Sequence, residues 1–121
     1  MLGGGMRQSG ILAAAGHYAL DHHVARLADD HANAVRLADG LAKINGIDVD
    51  SPFDGLRTNI VFFRPDPAWG GAPAVADQLS ARGVKVLALD PDRIRAITHL
   101  DVDAADIDRA IEIVAGLAHP A

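Results

Sequence analysis

Apolar residues recur every three to four positions in four stretches of the chain, and alternate or run together in four others. The first helical stretch covers Gln8 to His22, where Ile11, Leu12, Ala15, Ala19 and Leu20 return at near-helical spacing. Gly16 weakens it slightly, and the small residues Ala13, Ala14, Ala15 and Gly16 permit close approach by another element. The second is the strongest: Val24, Leu27, His31, Ala34, Val35, Ala38 and Leu41 form one stripe, with Arg26, Asp29, Asp30, Asn33, Arg36 and Asp39 mostly outside it. Asn45-Gly46 supplies its stop.

After Gly46 the period changes. Ile47-Asp48-Val49-Asp50 alternates like a short strand, and Ser51-Pro52 ends it. Asn59 to Phe63 is a β-branched and aromatic run that reads as a buried strand. Pro65, Pro67, Gly70 and Gly71 mark a loop. A helix is expected over Ala72–Arg82, with Val75, Ala76 and Leu79 inward and Gly83 as its C-terminal stop. Val84–Leu89 reads as a strand, Asp90-Pro91-Asp92 as a turn and Arg93–Thr98 as a further strand. Asp103 stands at an N-cap position with Asp106 three residues on; Ile107, Ala110, Ile111, Val114 and Leu117 follow at helical spacing, and Pro120 lies beyond. The order is two helices, two strands, a helix, two strands and a helix. It predicts an α+β, two-layer architecture: three or four strands with helices on one face. The division expected is a helical segment over residues 1–45 and a small α+β domain over residues 46–121, with the opening helices free to dock elsewhere.

Composition narrows the partners. A chain of 121 residues fits one core. The formal charge of −5 argues against nucleic acid, which needs a basic patch. With no cysteine, disulfides, thiolate catalysis and Cys-ligated zinc drop out. No apolar run is long enough to span a membrane, and the start lacks a secretory pattern, so a soluble cytoplasmic protein is expected.

The candidate chemistry lies in two arginines. Arg7 follows flexible glycines and opens a helix, where a guanidinium and free N–H groups suit a phosphate. Gly3-Gly4-Gly5 is no dinucleotide fingerprint, because no strand precedes it. Arg95 shares a strand face with Arg93, Ile97 and His99, and its planar fork suits a carboxylate. On spacing alone both read better as exposed surface arginines than as ligand-binding ones. His22, His23 and His31 do not make a metal ligand set, since adjacent helical residues diverge and no carboxylate completes it. His99 reads either as a site residue or as a hydrogen-bonded structural histidine.

Two stretches carry a resemblance. Met1-Leu2-Gly3-Gly4-Gly5-Met6-Arg7-Gln8-Ser9-Gly10-Ile11-Leu12-Ala13-Ala14-Ala15 resembles the segment of threonine aldolases that follows the catalytic lysine region and opens a long helix. Arg95-Ala96-Ile97-Thr98-His99-Leu100-Asp101-Val102 is similar to the strand end that carries the family's carboxylate-binding arginine. Asp30-His31-Ala32-Asn33-Ala34 and Thr58-Asn59-Ile60-Val61-Phe62-Phe63 match between them, in order. The resemblance implies the aspartate-aminotransferase type of fold, with residues 1–45 ending the large domain and 46–121 forming the small C-terminal domain. It implies pyridoxal phosphate as cofactor, a β-hydroxy-α-amino acid such as threonine as substrate, and glycine and an aldehyde as products. By resemblance Arg7 contacts the cofactor phosphate and Arg95 the substrate carboxylate. Lys43 ends a helix and Lys85 opens a strand, outside the family's Ser-Lys context, so no catalytic lysine is assigned. The chain is therefore expected to be inactive alone, to need the large domain on the same or a separate chain, and to assemble as a homo-oligomer when complete. The alternative is a stand-alone, non-catalytic α+β module that binds a small carboxylate or a partner protein.

Overall fold

The computed structural model describes residues 4–50 and 58–118. The expected stops at Ser51-Pro52 and Pro120, and the first glycine of the opening run, lie outside the described residues. The elements are α1 (Ser9–His22), α2 (Leu27–Leu41), β1 (Ile47–Val49), β2 (Ile60–Pro65), α3 (Gly71–Ala81), β3 (Leu87–Ala88), β4 (Ile94–Ile97) and α4 (Ala104–Ala118). A 3-10 turn, Pro67–Trp69, joins β2 to α3 inside the expected loop. The four strands form one antiparallel sheet in the order β1-β2-β4-β3. The expected α+β, two-layer class is the one observed.

Alternation along the strands divides the sheet into two faces. Val61 and Phe63 of β2 pair with Ala96 and Ile94 of β4, and all four are buried. This face meets α2 and α3, and the core extends through Leu37, Leu41, Val75, Leu79, Ile107 and Val114. The other face presents Asp48 opposite Arg64, Phe62 opposite Arg95, and Ile60 opposite Ile97, with Leu87 opposite Arg95 on its far side. No described helix packs against it.

The local signals that start and stop the elements are visible. Gly46 adopts φ +88°, where any Cβ would run into the Trp69 ring, and its carbonyl accepts from the Asp66 N–H at 2.7 Å. The Asp103 carboxylate accepts from the N–H groups of Ala105 and Asp106 at 2.8 and 2.9 Å, and the Asp106 carboxylate accepts from the Asp103 N–H at 3.2 Å. That reciprocal pair satisfies orphan donors at the start of α4.

Two expectations change. The buried side of α2 is Asp30, Ala34, Leu37, Ala38 and Leu41, whereas Val24, Leu27, His31 and Val35 are exposed. The buried face is turned toward α4 and the sheet, and Asp30 is tolerated there because Arg26 donates to both its oxygens at 3.1 and 2.9 Å. The third strand pairs only over Leu87–Ala88, and Val84 to Val86 stand apart from β4. At the end of α1 the His22 and His23 rings each lie tilted against Tyr18, with centroids 4.2 and 5.6 Å from it.

An ion pair joins α2 to α4: the Arg36 Nε and Nη2 donate to the two Asp108 oxygens, each at 2.6 Å. The hydrogen bond and charge of Arg36 hold the Asp108 carboxyl below its usual 3.8. A carboxyl lowered on folding stabilises above its unfolded value and loses that contribution as pH falls through its folded value. Asp108→Asn is expected to lower the thermal midpoint slightly at pH 7. The gap between variant and parent should close in acid below pH 3.8, as thermal melts across pH will show.

Candidate functional site

The uncovered face of the sheet concentrates charge around β2 and β4. Arg64, Arg93 and Arg95 all belong to it, and two of the three are neutralised. Arg64 pairs with Asp50 and lies 3.9 Å from Asp92. Arg93 lies 3.7 Å from Asp50 and 3.8 Å from Asp90, and its guanidinium carbon stands 5.0 Å from the centroid of the Phe62 ring. The hydrogen bond from Asp92 and the nearby Arg93 charge hold the Asp90 carboxyl below its usual range. Asp50 thus bridges two arginines at the edge of the face.

Arg95 differs. Among the described residues it makes no salt bridge and no side-chain hydrogen bond, whereas its buried Nε without a hydrogen-bond partner is a feature it shares with Arg93. Its neighbours across the strands are Phe62 on one side and Leu87 on the other. Apolar flanks strip water from part of the guanidinium while the sheet fixes its stem. A buried donor without an acceptor is costly, and a planar anion that takes two N–H bonds relieves that cost.

The strand end beyond Arg95 is held tightly. The Thr98 N–H donates to the Asn59 carbonyl at 2.9 Å, and the Asn59 amide donates back to the Thr98 carbonyl at 3.0 Å. The buried Thr98 hydroxyl donates to the Asp30 carbonyl at 2.7 Å, tying β4 to α2. Asn33 donates to the Val102 carbonyl at 3.2 Å. These ties leave Arg95 little freedom to swing. His99 is exposed, and its Nδ1 accepts from the Asp101 N–H at 3.3 Å, so it shapes the turn after β4.

Arg7 lies in the turn before α1 and is exposed. Helix α1 buries none of its residues; Ile11 is 73% exposed and Leu20 70%. Among the described residues no extensive contact folds α1 over the sheet, and Arg7 and Arg95 do not line a common cavity among those described. Lys43 and Lys85 are exposed, and neither lies at the start of α1. Among the described residues, no three histidine, cysteine or carboxylate side chains gather as metal ligands. No described helix is long and apolar enough to cross a membrane.

The Asp50, Phe62 and Arg93 arrangement beside Arg95 was not read from the sequence. The alternation Ile60, Phe62, Arg64 on one strand and Arg93, Arg95, Ile97 on another was visible, but not which strands were neighbours.

Comparison with known proteins converges on one group. A sequence model of the beta-eliminating lyases matches residues 1–64. The low specificity L-threonine aldolase of Escherichia coli K12 is 46% identical over 104 residues, which is 84% of this chain and 28% of that protein. The probable low-specificity L-threonine aldolase 2 of Arabidopsis thaliana is 35% identical over 119 residues, 98% of this chain and 33% of that protein. The chain thus spans about a third or less of the length of these relatives. Among solved structures, a cystine C-S lyase C-DES bound to its product cysteine persulfide superposes with a TM-score of 0.61 at 23% identity, over 74% of this chain and 23% of the lyase. The aminotransferase TlmJ of Streptoalloteichus hindustanus gives 0.63 at 16% identity, over 75% and 31%. At these identities the structures speak for the fold alone.

Proposed function

The chain belongs to the beta-eliminating lyase family, and from that premise we propose that it forms the C-terminal part of a pyridoxal-phosphate-dependent threonine aldolase. Such an enzyme cleaves threonine and related β-hydroxy-α-amino acids to glycine and an aldehyde. The observation that carries the reading is Arg95: among the three described arginines of the uncovered face, it alone has no acid beside it. An α-amino acid brings the missing carboxylate.

In this reading Arg95 holds the substrate carboxylate at two points. Phe62 and Leu87 flank that contact and exclude water, which strengthens it. The clamp between Thr98 and Asn59 fixes the strand, so the carboxylate is held in one orientation. Arg7, exposed at the start of α1, takes the phosphate of the cofactor, on this subunit or a neighbour. Bound pyridoxal phosphate supplies an electron sink for the pair released when the Cα–Cβ bond breaks. The residues fit the anionic ends of substrate and cofactor; they do not supply the amine, because neither Lys43 nor Lys85 stands in the family's Ser-Lys context. The exposed Ile11, Leu12, Tyr18 and Leu20 of α1 provide apolar surface for the rest of the enzyme to cover.

The 121-residue chain, mixed with threonine and pyridoxal phosphate, is expected to release neither glycine nor acetaldehyde. Joined to the large domain of a related threonine aldolase, it is expected to restore both products. Turnover by the chain alone, or a well-folded and cofactor-loaded chimera that leaves threonine intact, would sink the proposal.

A further inference from the structure

The sheet comes apart on the core side of its β3 edge. The pairing of Leu87 with Arg95 and Ala88 with Ile94, continued backwards, would set Val86 opposite Ala96, Lys85 opposite Ile97 and Val84 opposite Thr98. Those pairs are not formed. In their place lies a cavity of about 390 Å³, bounded by Val84–Val86, the end of β4 and α4. Its floor is the core itself: Phe63, Leu79, Ile107 and Val114, all buried.

A cavity of this size falls within the range of small-ligand sites, roughly 300–1,000 Å³, which are mostly apolar with a few polar groups. The polar groups here are uneven. Arg82, Lys85 and Arg109 line the cavity and are exposed. Arg82 donates to the Gln78 carbonyl, while Lys85 and Arg109 have no ion pair or side-chain hydrogen bond among the described residues. The two acids present are engaged locally: Asp106 accepts from the Asp103 N–H, and Asp101 lies 3.8 Å from His99. An apolar interior under a mouth with two unpaired cations fits a molecule with an apolar tail and one negative head.

We propose that this cavity binds a small amphipathic monocarboxylate, its chain against Phe63, Leu79 and Val114 and its head between Lys85 and Arg109. The site is separate from the carboxylate fork of Arg95, which lies on the opposite face of β4, and it does not depend on the aldolase reading. Binding would hold Val84–Val86 away from β4.

The test uses the full chain, labelled with nitrogen-15, and three probes of equal length: octanoate, octanol and octylamine. Octanoate is expected to give saturable shifts at Val84, Val86, Ala96 and Ala110, with octanol weaker and octylamine weakest. Lys85→Glu and Arg109→Glu change only exposed residues, and each is expected to weaken octanoate about fivefold while leaving octanol unchanged, as suits a solvent-accessible ion pair. Equal affinity for octanoate and octanol, or no effect of either charge reversal, would overturn the carboxylate assignment. Absence of saturable shifts at those residues with all three probes would overturn the site.

Discussion

Arg95→Gln, in an enzyme assembled from this chain and a threonine aldolase large domain, is expected to raise KM for threonine by on the order of a hundredfold and to leave pyridoxal phosphate in place. Removing one member of a desolvated, hydrogen-bonded charge pair costs about 2–5 kcal/mol, and each 1.4 kcal/mol is about tenfold. The lower part of that range, about 2.8 kcal/mol for a hundredfold, suits Arg95, which is only half-buried although its Nε is covered and its strand neighbours are Phe62 and Leu87. Arg95→Lys should fall between the two, since it keeps the charge but loses the two-point fork. Arg93→Gln should matter much less for threonine, because that guanidinium is already committed to Asp50 and Asp90. Arg7→Ala should instead release cofactor, read as loss of its absorbance after dialysis, with KM little changed. Steady-state kinetics decide the matter: an unchanged KM in Arg95→Gln would remove this residue from the substrate contact.

The elements were legible because each carries its own punctuation. Asp103 and Asp106 announced α4, Gly83 closed α3, and the change of period at Gly46 separated helix from strand. What local pattern could not supply was the partner. On α2 two apolar flanks lie side by side, Leu27 with Val35 and Leu37 with Leu41. Eight residues separate the first pair and four the second, both helical spacings, and only packing against α4 and the sheet selects the second. Asp30 reads as solvent-facing by type, yet it is buried because Arg26 sits one turn earlier and neutralises it. The third strand failed for a related reason. Val84 to Leu89 has strand composition, but strands need an aligned edge, and pairing stops at Leu87 where the cavity opens.

The site was legible only in part. Arg95 could be placed on a strand face from alternation alone, and the resemblance supplied its role. That it differs from Arg64 and Arg93 required knowing that Asp50, 14 residues from Arg64, comes back beside them. Asp50 meets these arginines through the pairing of β1 with β2, which no short window of sequence contains. Arg7 is legible as a residue at a helix start, and its placement against any ligand depends on what covers α1.

Phe62 and Phe63 offer a decisive measurement on the placement of Arg95 that needs no catalysis. They are adjacent in β2 and therefore face opposite ways: Phe63 is 1% exposed against the core, and Phe62 lies on the uncovered face beside Arg93 and Arg95. Phe63→Ala is expected to cost about 3–5 kcal/mol, the usual range for a large buried aromatic. Against a total of about 5–15 kcal/mol for a typical domain, that leaves the chain largely or wholly unfolded at moderate urea. Phe62→Ala, which removes a half-exposed ring and its contact with Arg93, should cost about 1 kcal/mol, within the span of cross-strand pairs. Urea midpoints of the two variants followed by circular dichroism give the ordering directly. The reverse order would mean that β2 is slipped by one residue, and in that register Phe62 and Arg64 would turn into the core and Phe62 would no longer share a face with Arg95. The stability ordering of two neighbouring phenylalanines thus tests whether the carboxylate fork stands where a substrate could reach it.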